Sequence, residues 1–140
     1  MQVPPSIAAL KKIEGFQVSM MSYLIDLLKE QEDLINGGTL LDHTSILYGC
    51  GMATGGHSTR NLPLVLAGGG FKHGEHKVYP GPHLKDLKSS ARLVSQEKRL
   101  AEGVSEVPAA NLLLSILQNC GLEIDKFGSS SGTLTGLEWS

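Results

Sequence analysis

Cys50, His57, His73 and His76 are the side chains of this 140-residue chain whose types suit a metal, since thiolate and imidazole are the usual zinc ligands. Their spacing matches no compact zinc pattern, and solvated loop histidines are the simpler reading. His57 stands beside Arg60 and Asn61 in "HSTRN", where a guanidinium and an amide offer donors to an anion. Gly68, Gly69 and Gly70 form a bare glycine run. They lack the Lys-Ser/Thr ending and following helix of a phosphate loop, so a strand-ending turn with positive φ is expected. "GSSSG" at 128–132 gives Ser130 the nominal spacing of a hydrolase nucleophile. No histidine follows it and "TLTGLEWS" is a poor helix, which excludes the nucleophile elbow. Cys50 lies between two glycines with no basic residue adjacent before His57, so an inert thiol is expected.

The elements decide which of these residues meet. Ile13, Phe16, Met20, Leu24, Leu27 and Leu34 recur at helical spacing, predicting an amphipathic helix over 7–35 stopped by Asn36, Gly37 and Gly38. "TSILYG" (44–49) and "LPLVLAG" (62–68) read as strands, the second buried on both faces because it does not alternate. About a dozen residues without helical pattern join them, too little for a parallel crossover, so the pair is expected to be antiparallel. Cys50 and His57 then sit at one end of the pair. Gly68–Gly70 start from the other, roughly 20 Å away, with His73 and His76 beyond. With a loop as the alternative, residues 83–103 read as a charged surface helix ending at Gly103. "PAANLLLSILQNCG" (108–121) is a clearer one, with Leu112, Leu113, Ile116 and Leu117 expected inside and Gly121 as its stop. The tail reads as loop with room for one short strand.

A formal net charge of -2 gives no electrostatic footprint for nucleic acid. No apolar run approaches the length of a membrane span, and "MQVPPSIAALKKIEG" lacks the pattern of a signal peptide. Two cysteines, Cys50 and Cys120, make no disulfide framework; one bridge is possible, and two buried, unbridged thiols are expected. The length suits a single domain. Helix, strand, strand, helix implies α/β layering, yet two strands apolar on both faces need neighbours that the chain does not obviously supply. The sequence reads as a piece of something larger.

"GGTLLDHTSILYGCGM", "HSTRNLPLVLAGGG" and "PAANLLLSILQNCGLEIDKFGSSSGTLTGL", in that order, resemble the carboxy-terminal part of the bacterial domain-of-unknown-function family numbered 1552. That family in turn resembles the alkaline phosphatase and sulfatase superfamily, where a strand ends in an Asp-His-Gly-type metal motif and an antiparallel strand follows. The resemblance covers most of residues 10–137. It implies a partial three-layer α/β sandwich: a mixed-sheet fragment with an antiparallel strand pair flanked by helices, its site at the carboxyl ends of the strands. It also implies that residues 1–140 are one carboxy-terminal segment of a larger domain whose remainder is the principal partner. Nucleophile, export signal and any divalent metal would belong to the full-length protein, which would be periplasmic or exported; the segment brings no cofactor of its own. His57 matches the family's histidine ahead of Asn-Leu-Pro. With Arg60, Asn61 and Cys50 it forms the candidate site for a small anionic ligand, the catalytic residues being unassigned. The chain departs from the pattern in three places. Gly49-Cys50-Gly51-Met52 stands where the superfamily places metal ligands, Gln17 stands where relatives carry a histidine, and 85–106 is long. The implied function is therefore a wall of a hydrolase-like site without its own nucleophile. The alternative is a non-catalytic binding or assembly protein that keeps the fold.

Overall fold

The computed structural model describes residues 4–53, 59–79 and 106–137. The order of elements is helix α1 (Pro5–Glu30), strand β1 (Ser45–Gly49), strand β2 (Leu64–Gly68) and helix α2 (Ala109–Asn119). The expected helix over 83–103 lies outside the described residues. These residues fall into two compact units, Met1–Ile46 with Ala67–Gly70, and Leu47–Leu66 with Phe71–Ser140.

In the first unit α1 opens on Pro5, whose missing N–H is no loss in a first turn. The helix ends at Glu30, five residues before the expected stop, because Asp33 offers the backbone a competing partner. Its Oδ1 accepts the amides of Ile35 at 2.9 Å and Asn36 at 3.1 Å, an Asx arrangement incompatible with helix continuation. Gly37 and Gly38 then turn the chain with φ of 79° and 73°, and Glu32 bridges Thr39 antiparallel. Leu34, expected on the helical stripe, is instead 90% exposed in this turn. No residue of α1 is buried; Met21, Ile25 and Leu28 are among its half-buried positions. Gly15 lies mid-helix with open space around its Cα. Gly15→Ala is therefore expected to raise stability by about 1 kcal/mol, the ordinary Gly–Ala difference in a helix. Thermal unfolding followed at 222 nm reads it.

Asp42 holds the same turn from its other side. Its Oδ2 accepts the Thr39 amide at 2.7 Å and the Thr39 hydroxyl at 2.8 Å. Those two bonds keep the Asp42 carboxyl below its usual value, the amide acting most strongly. Asp33 is lowered too, first by the Asn36 side-chain amide and then by the backbone amides of Asn36 and Ile35. A depressed folded-state pKa means stability that is present above the ordinary carboxylate range and lost as pH falls through the lowered values. The 31–44 turn is accordingly expected to loosen below about pH 4. Broadening of the Ile35 and Thr39 amide resonances on titration from pH 6 to 2 checks this. Asp42→Asn should remove the Thr39 response.

The two strands pair in antiparallel order. Gly49, at the end of β1, lies against Pro63 and Leu64 at the start of β2, and Gly68, at the end of β2, lies against Thr44 before β1. The residues expected as 44–49 and 62–68 are those that form the ladder, less one or two at each start.

In the second unit α2 begins after Pro108 and caps through the Cys120 and Gly121 amides. Its buried face is Asn111, Leu112, Leu114 and Ser115; of the four residues expected inside, Leu112 is buried, Ile116 and Leu117 are half-buried, and Leu113 is 37% exposed. The rotation has a polar cause. Asn111 Oδ1 accepts the Ser131 amide at 3.0 Å and its Nδ2 lies 3.3 Å from the Ser131 hydroxyl. The Ser115 hydroxyl donates to the Asn111 carbonyl at 2.9 Å and accepts the Leu134 amide at 2.8 Å. The returning segment 127–134 thus satisfies its backbone on α2 rather than in a strand, and no strand occurs in the described tail.

Candidate functional site

The loop between the strands was the sequence's best candidate site. His57 lies outside the described residues, so the site rests on Cys50, Arg60 and Asn61. Cys50 follows β1 directly, and the antiparallel turn-back places the start of β2 beside it. Its exposed thiol donates to the Met52 carbonyl at 2.8 Å, an i to i+2 contact that fixes the turn. Cys50 also sits at the polar rim of an open groove of about 270 Å³. Leu47, Leu64, Leu112 and Leu113 form most of its floor, which is where α2 meets the strands.

Arg60 is drawn to a carboxylate: its Nε lies 3.0 Å from Glu106 Oε1, with the two side chains 15% and 25% exposed. The geometry is that of an ion pair rather than an aligned hydrogen bond. A neighbouring carboxylate offsets much of the field that Arg60 would project toward an anion, so the loop presents a paired cation. Glu106 could not be foreseen as the partner, since 46 residues separate the two and no local pattern links them. Asn61 is the one described non-glycine residue with positive φ, at 53°. Asparagine tolerates that region better than most residues, and here it turns the chain toward Pro63 and β2.

The other candidates separate as the topology requires. Gly68, Gly69 and Gly70 have φ of 71°, 68° and 73°, a left-handed run that ends β2. The Gly69 amide is spent on the Leu41 carbonyl at 2.9 Å, and no helix follows the run among the described residues. His73 and His76 come after this turn and are exposed. Among the described residues no three His, Cys, Asp or Glu side chains gather as a metal would need. Ser130 is 7% exposed, and its hydroxyl accepts the Phe127 amide at 2.9 Å, the role of a turn-holding serine. His43 Nε2 lies 2.9 Å from the Gly37 carbonyl and 4.0 Å from Asp33, which ties it to the turn after α1. Both cysteines are free, as expected, but exposed rather than buried, since each sits in a turn at the end of its element. No described helix is long and apolar enough to cross a membrane.

What sequence reasoning missed is the buried polar clamp of Asn111 and Ser115. Its signal was present: two hydrogen-bonding residues at i and i+4 inside an otherwise apolar helix. Compared with protein families, curated proteins and solved structures, the chain matches none.

Proposed function

We propose that the chain is the carboxy-terminal part of an alkaline phosphatase/sulfatase-like domain of an exported protein. It lines that domain's site with the 50–61 loop and supplies no nucleophile. The observation that supports this reading is the sheet. Among the described residues it has two strands of five residues each, and Leu47, Leu64 and Val65 remain 38%, 36% and 49% exposed on them. A two-stranded ribbon is marginal alone, and strands with apolar residues on both faces gain stability from further strands and covering helices.

The chemistry agrees with a supporting role. Transfer of a phosphoryl or sulfuryl group needs a nucleophile, and usually metal ions to stabilise developing charge. At the strand end where ligands would stand, the chain offers a thiol bonded to the Met52 carbonyl and an arginine paired with Glu106. Asp42 and His43 precede β1 at its other end and are bonded to Thr39 and Gly37. A divalent metal, if used, comes with ligands from the rest of the domain. The non-catalytic alternative, a binding or assembly role, is favoured by the exposed apolar stripe of α1.

Two measurements test the proposal. Purified chain should not hydrolyse aryl phosphates or aryl sulfates with or without Zn²⁺, Mn²⁺ or Ca²⁺. Metal-dependent turnover that disappears in His57→Ala would overturn it and make the loop catalytic. Amide exchange should find β1 and β2 less protected than α2 in the isolated chain. Equal protection would mean that the sheet needs no further strands.

A further inference from the structure

We infer that Asn36–Gly37 is a spontaneous deamidation site, held closed by the Asp33 turn and released when that turn opens. This goes beyond the proposed function and does not depend on it. Of the four asparagines, Asn36, Asn61, Asn111 and Asn119, Asn36 alone is followed by glycine. Glycine matters because the reaction needs the next residue's backbone nitrogen to reach the asparagine Cγ, and a Cβ there obstructs the approach. Gly37 has open space around it and Asn36 is exposed, so water and base reach both groups.

The bonds that change are few. The Gly37 nitrogen gives its proton to hydroxide and attacks Asn36 Cγ. The Cγ–Nδ2 bond then breaks, Nδ2 leaves as ammonia with a proton taken from water, and a cyclic succinimide remains in the chain. Water opens the ring, leaving aspartate where it adds at Cγ and isoaspartate where it adds at the Asn36 backbone carbonyl. Water and hydroxide are the only co-reactants.

The turn engages both reacting groups. The Gly37 amide donates to the Asp33 carbonyl at 2.8 Å, and Asn36 Nδ2 donates to Asp33 Oδ2 at 2.9 Å. Gly37 is held at its other end too, its carbonyl oxygen 2.9 Å from His43 Nε2. The nucleophile's proton is thus occupied, and the carboxamide is tied to a residue three positions back. The Asp33 carboxylate also places a negative charge beside groups that must themselves become negative, which opposes the attack. Two such bonds are together worth about tenfold to 100-fold in an opening equilibrium. Reclosing the turn does not undo the reaction. Aspartate at position 36 would set a carboxylate oxygen against Asp33 Oδ2 where a donor stood, and isoaspartate would add a methylene to the main chain before Gly37. An opening of the turn is thereby recorded covalently.

Peptide mapping by mass spectrometry of the intact chain, incubated in mildly alkaline buffer, reads the conversion at Asn36. A synthetic peptide of residues 31–41 sets the unrestrained rate. The folded chain is expected to convert at least about tenfold more slowly than the peptide, and at Asn36 before the other three asparagines. Asp33→Ala should bring the chain to within about threefold of the peptide rate. Asp33 lies outside α1, so retained far-UV ellipticity and unchanged α2 amide resonances show that this variant opens the turn without unfolding. Asp33→Asn keeps a carbonyl acceptor without the charge and should accelerate conversion about threefold, whether or not Asp33→Ala folds. A parent that converts as fast as the peptide overturns the inference. So do aspartate replacements no faster than the parent, or earlier conversion at Asn61, Asn111 or Asn119.

Discussion

Gly68→Ala is expected to cost about 3 to 5 kcal/mol, enough to unfold a substantial fraction of a marginally stable chain. Two independent penalties meet at this position. The φ of 71° is left-handed, a region that costs an L-residue with a Cβ about 1 to 2 kcal/mol. The second penalty is steric and larger. A Cβ at Gly68 would overlap the Thr44 carbonyl oxygen and stand 2.6 Å from the Leu41 carbonyl oxygen, both backbone atoms. Neither can swing aside as a side chain would, because the Leu41 oxygen also accepts the Thr44 and Gly69 amides at 3.2 Å and 2.9 Å. Moving it breaks the turn that delivers the chain into β1. Gly51→Ala is the control: it has open space and no left-handed requirement, so a change within about 0.5 kcal/mol is expected. Urea unfolding of both variants with the parent separates the cases. A Gly68→Ala midpoint equal to that of Gly51→Ala would show that the turn relaxes freely.

The glycine run shows what the sequence made legible and where it stopped. Three consecutive glycines after an apolar run announced a positive-φ turn, and the rejection of a phosphate loop agrees with the Gly69 amide bonding to Leu41. Both strands were visible as short apolar runs, and their antiparallel order followed from a short connection without helical pattern, which is a matter of chain geometry. The two helices were visible through apolar spacing. Their limits and faces were not. Asp33 ended α1 early by a local hydrogen bond that competes with periodicity, and Asn111 and Ser115 turned the buried face of α2 by bonding residues some twenty positions away. Hydrophobic spacing carries no information about such partners. The site suffered in the same way. Cys50, Arg60 and Asn61 were nameable from type, but the Glu106 carboxylate that offsets Arg60 is distant in sequence.

Leu114→Ala is the second large effect expected, about 3 to 4 kcal/mol. Leu114 is the most enclosed side chain of the described residues, 1% exposed, in a unit with few buried apolar groups. Truncation loses the transfer free energy of the removed carbons and leaves a cavity, which together cost about 2 to 5 kcal/mol for buried leucine. The site cannot collapse cheaply to refill that space. Asn111 and Ser115, on the same face of α2, are bonded to the backbone of residues 131 and 134, so the neighbouring segment is held at a fixed distance from the helix. That argues for the upper half of the range. Leu113→Ala supplies the contrast, since Leu113 is 37% exposed and should cost about 1 kcal/mol or less. The clamp itself makes the argument testable by coupling. Ser115→Ala deprives the Leu134 amide of its acceptor and lets the tail move inward, so the Leu114→Ala penalty should shrink by about 1 kcal/mol in that background. Denaturant midpoints for the two single variants and the double variant give the interaction energy. Strict additivity would mean that Leu114 is enclosed by something other than the segment that Asn111 and Ser115 hold.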